Sequence, residues 1–139
     1  MLLAGCSGPA QVPAPSPDPD TASICRHLVT AVPKTVDDQS ERAVRPSSPY
    51  TAAWGDPAIT LACGVAKPAE LNAASECFEV NGVGWYVEDR GSDYRFTTIG
   101  RKAYVQVAVP RHYGPQPANA LIDLARPVAD HIPVVTRCV

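Results

Sequence analysis

Cysteine is the residue through which this chain has most scope for chemistry, and it occurs at Cys6, Cys25, Cys63, Cys77 and Cys138. Cys6 follows Leu3-Ala4-Gly5, an apolar residue and two small ones. This order resembles a lipobox, in which the thiol receives a diacylglyceryl group and the preceding peptide bond is cut. Small residues suit such a site because the signal peptidase must close around the backbone. With Cys6 assigned to lipid, four cysteines remain, an even number of the kind exported proteins use in pairs. Four allow three connectivities. The reading favours Cys63–Cys77, closing a short loop between neighbouring strands, and Cys25–Cys138, pinning the first helix to the C-terminal tail. A metal site of all four is disfavoured, because the spacings are wide and no Cys-x-x-Cys pair occurs.

Trp54-Gly55-Asp56-Pro57 is the most distinctive peptide. Trp54 could offer a flat face to a sugar or peptide, with Asp56 beside it and Arg101 holding an anion or carboxylate. The competing reading, which we favour, is a tight turn with Trp54 in the core, Trp85 also in the core, and Arg101 paired with Asp37, Asp38 or Asp56. His27, His112 and His131 show no metal-ligand spacing, so no metal is expected. No Gly-x-Ser-x-Gly elbow and no phosphate-cradling glycine loop occurs. Glu88 and Asp89 are neighbours on a strand and point to opposite faces, so they cannot act as a facing acid–base pair. No catalytic residues and no cofactor are expected.

The elements that would position these residues follow from composition and periodicity. The chain has 139 residues with 12 basic and 14 acidic side chains. Residues 1–6 hold the lipobox, preceded by too little apolar sequence for an export signal, so the true start is expected upstream. Residues 7–23 carry Pro9, Pro13, Pro15, Pro17 and Pro19 among Ala, Ser, Asp and Gly. Such a run cannot bury enough surface to fold, and reads as a disordered polyproline-like tether. Residues 24–139 then form one domain, formally neutral once Asp18 and Asp20 are set aside. With no basic run, nucleic acid is not an expected partner. No apolar run is long enough to span a membrane.

Within the domain, Ser23 would cap a helix carrying Ile24, Cys25, Leu28, Val29 and Val32 on one face, ended by Pro33. The polar stretch 34–50 reads as a long loop, and Pro68 to Ala74 as a helical turn. Ile59 to Cys63, Phe78 to Val80, Val83 to Glu88, Tyr94 to Ile99 and Ala103 to Val109 alternate like strands. Asn81-Gly82 signals a tight hairpin. Leu121, Leu124, Ala125, Val128 and Ile132 make a helical stripe that Pro127 should kink or break. The sum is an α+β fold, a small antiparallel meander with a helix at each end, stapled by disulfides.

Several stretches together resemble one family: Thr51 to Ile59, Cys63-Gly64-Val65, Val80 to Trp85, Thr97 to Arg101 and Val107 to Pro110, with Cys25, Leu28, Pro33 and Thr35-Val36 before them. Their order and spacing are similar to the actinobacterial domain of unknown function 3515. That resemblance implies a secreted, lipoprotein or membrane-attached setting and supplies no catalytic residues. The expectation is an extracytoplasmic protein, anchored to the cell membrane by lipid. Its domain would be a non-catalytic module for an envelope protein or a cell-wall ligand. A small-ligand site around Trp54, Asp56 and Arg101 and, further off, an envelope hydrolase are the alternatives.

Overall fold

The computed structural model describes residues 8–138. The Asn81-Gly82 signal shows how local chemistry sets the frame. Val80 pairs with Val83 across a two-residue turn in which Asn81 and Gly82 both have positive φ, as a type I′ hairpin requires. That turn joins β7 (Phe78–Val80) to β8 (Val83–Asp89). Next come β9 (Asp93–Thr98) and β10 (Val105–Pro110), where Val105, Val107 and Val109 are all fully buried.

Earlier in the chain lie β5 (Thr51–Trp54) and β6 (Ile59–Cys63). Before them the stretch expected as a loop contains β2 (Thr35–Val36), β3 (Gln39–Arg42) and β4 (Val44–Arg45). The missed hairpin turns on Asp37 and Asp38, both at positive φ. Aspartate tolerates that conformation better than most side chains. Among the described residues, eight strands form one antiparallel sheet in the order β2-β3-β5-β6-β10-β9-β8-β7. The meander is interrupted once: after β6 the chain crosses to the far edge, and β10 returns to fill the gap.

The fold is α+β, with helices α1 (Pro19–Ala31) and α2 (Ala118–His131) against one sheet face. Their buried residues, including Cys25, Leu28, Leu121, Leu124 and Val128, meet Trp54, Leu61, Trp85, Phe96 and Val107 in a single core. The sequence reading started α1 too late. Asp18, not Ser23, is the cap, and its carboxylate accepts the Thr21 amide at 2.9 Å. Pro127 does not break α2, which runs to His131. Pro127 lacks the amide that would bond the Asp123 carbonyl and its ring crowds that carbonyl, a cost that the packed stripe outweighs. Pro68 to Ala74 holds separate turns rather than a helix, with Leu71 buried.

The segment expected to be a structureless spacer also differs. From Gly8 onward the proline-rich run lies across the sheet as a strap. Its strand β1 (Ala10–Gln11) pairs in parallel with β4, Ala10 beside Val44. Ala10 and Val12 are 5% exposed and pack with Ala53 and Ala62 in a second apolar cluster on the face away from the helices. The strap has no core of its own, and it uses the sheet's.

Candidate functional site

The residues singled out by type do not converge. Trp54 is fully buried and its Nε1 donates to the Pro33 carbonyl at 2.9 Å. Asp56 is exposed in the β5–β6 turn, 3.6 Å from Arg42. Arg101 pairs with neither Asp37, Asp38 nor Asp56. It donates to the carbonyls of Ile132 (2.7 Å) and Gly82 (3.2 Å), tying the C-terminal tail to the β7–β8 turn. The registers put Asp56 beyond Ile59 and Arg101 beyond Val105, the partner of Cys63. The length of β6, about 13 Å, therefore separates the two ends. His27, His112 and His131 lie on α1, on the turn after β10 and on the last residue of α2.

The disulfide expectation is overturned. Cys25 on the buried face of α1 bonds to Cys63 on β6, and Cys77 before β7 bonds to Cys138 in the tail. Three strands stand between β6 and β7, so Cys63 and Cys77 sit roughly 19 Å apart by strand spacing, beyond the reach of a disulfide. Gly84 makes room for the second bridge: a Cβ there would collide with the Cys77 Sγ. Cys6 lies outside the described residues.

One titratable cluster forms at the β2–β3 turn. The Asp37 amide donates to the Asp123 Oδ2 at 2.8 Å. Burial first, then the charges of Asp38 and Asp123, raise the Asp37 carboxyl above its ordinary value. Nearby, Tyr113 donates to the Pro57 carbonyl, and burial together with Asp56 and Asp37 raises its phenol. These contacts dock the turn on α2 and close the β5–β6 corner.

A cleft lies on the other face. Side chains directly opposite across strands share a face, so one row reads Ala53–Thr60–Ala108–Arg95–Glu88 and the next Thr51–Ala62–Gln106–Thr97–Tyr86. The strap covers the β5–β6 part of this surface and forms one wall of a groove of about 870 Å³. Pro13, Pro15 and Pro17 stiffen that wall, and Thr60, Gln106, Ala108 and Arg95 make the floor. Gly64, Tyr104 and Lys102 close the far end. Gly64 is at positive φ, and a Cβ on it would meet the Pro17 Cβ at 2.7 Å, so glycine lets the strap lie this close. That volume is within the range of small-molecule and cofactor sites.

The groove's surroundings are polar and incompletely paired. The Arg95 Nε, the Thr97 Oγ1 and the Glu88 Oε1 are shielded from solvent without a protein partner, and Thr97 is fully buried. Among the described residues, neither Arg95 nor Lys102 is in an ion pair. Among the described residues, the carboxylate on the groove is Asp18; it is turned toward α1, where hydrogen bonds from the Thr21 amide and hydroxyl hold it and lower its pKa.

A protein-family model matches residues 5–136 of the chain. The chain belongs to the DUF3515 family, proteins of unknown function. Comparison with curated proteins and with solved structures gives no match. In this DUF3515 chain the matched region takes in the strap and, among the described residues, both helices and the strands of the sheet.

Proposed function

We propose that this DUF3515 chain is a non-catalytic binding module of the cell envelope, held on the outer face of a membrane by lipid on Cys6. The groove between strap and sheet carries the reading: it is a concave surface lined by Thr60, Gln106, Lys102 and Arg95, polar side chains of the kind that orient a ligand or partner. Two disulfides add support, because such bonds persist in oxidising compartments. Three residues separate Cys6 from Ala10, where the strap joins β4, so an anchored domain would sit close to the bilayer. A diacylated cysteine carries two chains, enough for stable attachment.

Metabolic labelling with an alkyne fatty acid tests the anchor. The wild-type protein is expected to take up label and enter the detergent phase, and Cys6→Ala to do neither. An unlabelled wild-type protein in the aqueous phase would refute it. A photo-cross-linker at Gln106 tests the binding half. Envelope adducts formed there, and absent when the cross-linker sits at the exposed Ile122 on α2, are expected; equal adducts at both sites would refute a dedicated groove.

A further inference from the structure

We propose that the groove binds a linear anionic ligand lying along β10, with Arg95 and Lys102 as its two anion contacts and Gln106 between them. This rests on the groove being the binding surface and adds the class of ligand. Arg95 is opposite Ala108, and Lys102 lies two residues before Tyr104, in the bend that leads into β10. From Ala108 to Tyr104 is about 13 Å of extended chain, so the backbone positions that carry the two cations lie toward opposite ends of the trough. A compact monoanion would reach only one of them. A chain carrying charge at intervals would reach both.

Three further observations favour an anion. Arg95 has a shielded Nε without a partner, and an unmet charged donor is costly. Glu88, the residue opposite it on β8, forms no ion pair with it. Asp18, the acid on the groove, is held by α1. The protein as a whole is slightly acidic, with a formal net charge of −2. General attraction of a polyanion is therefore not expected, and binding would be local to this face. Gln106 and the Thr60 hydroxyl on the floor could hydrogen-bond the uncharged parts of such a chain.

The charged groups could be phosphates or carboxylates, and two probes separate them. Calorimetric titration of the full-length protein would use a short linear polyphosphate and an oligogalacturonate, with a neutral cello-oligosaccharide as control. One polyanion is expected to bind with a salt-dependent affinity and the neutral chain not to bind. Arg95→Gln and Lys102→Gln are each expected to weaken it about tenfold, the loss of one charge-assisted contact. Arg137→Gln, outside the groove, should leave it unchanged. Circular dichroism of each variant checks that it is folded. Failure of both polyanions to bind overturns the ligand class, as does binding that survives in both groove variants. Preferential binding of the neutral chain overturns the ligand class while leaving a binding module intact. The anchor is judged separately by the fatty-acid label.

Discussion

Arg101 stands out in the sequence as a cation in a glycine turn, and the same features suit it to hold the chain rather than a ligand. Its planar fork reaches two carbonyls that belong to different parts of the molecule, Ile132 after α2 and Gly82 in the β7–β8 turn. Arg101→Ala removes both hydrogen bonds and is expected to cost about 1–3 kcal/mol. Lysine, with no fork, should rescue little of it. Thermal melting gives the loss, and hydrogen exchange should rise across residues 133–137. Unchanged melting and unchanged tail protection would show that the side chain is not a brace. Trp54 was read correctly as core for a simple reason: a large ring beside a tight turn is more economically buried than displayed. Arg95, an outward arginine on a strand, and Lys102, a lysine in a turn, are ordinary in the sequence. Their meaning comes from the row Thr60–Ala108–Arg95, and that row exists only once β10 is known to lie between β6 and β9.

Elements were legible where one local rule decided them. Asn-Gly fixed the β7–β8 turn, valine alternation fixed β10, and a stripe of leucine and valine fixed α2. They were illegible where a segment depends on a distant one. The turn at Asp37-Asp38 resembles a polar loop until the strands on either side pair. The strap has the composition of a disordered tether, and by itself it would be one. It is ordered because β5 and β6 present alanines, Ala53 and Ala62, onto which Ala10 and Val12 close. The strap should therefore come away without unfolding the sheet. Val12→Asp puts a charge into that cluster and forfeits the burial of a valine, about 1.5–3 kcal/mol. Gly64→Ala should act on the same contact from below, through the Pro17 Cβ. In both variants hydrogen exchange is expected to quicken across residues 10–17 while β6, β10 and β9 keep their protection. A strap that stays protected in both would show that it is held by something other than this cluster, and a sheet that opens with it would show that strap and sheet are one cooperative unit.

At the scale of the molecule, the two disulfides have different work. Cys25–Cys63 joins the first helix to the middle of the sheet, inside the core, and closes a separation of 38 residues. Cys77–Cys138 closes 61 residues and fastens the C-terminal tail to the far edge beside Gly84. Loop-closure entropy alone assigns each about 4 kcal/mol, because the dependence on length is only logarithmic. The native-state consequences should nevertheless diverge. Removing Cys25–Cys63 takes sulfur atoms out of a packed interior and adds a cavity cost to the entropy. Removing Cys77–Cys138 leaves the core filled and frees a tail that Arg101 still holds further back. The paired substitution Cys25→Ala with Cys63→Ala is thus expected to lower the melting temperature more than Cys77→Ala with Cys138→Ala. The second variant should show its damage locally, as faster exchange in β7 and across residues 134–138. Peptide mapping without reductant should recover Cys25 joined to Cys63 and Cys77 joined to Cys138. Recovery of Cys63 joined to Cys77 would contradict the sheet order itself, since the two can meet only if β10, β9 and β8 do not stand between β6 and β7.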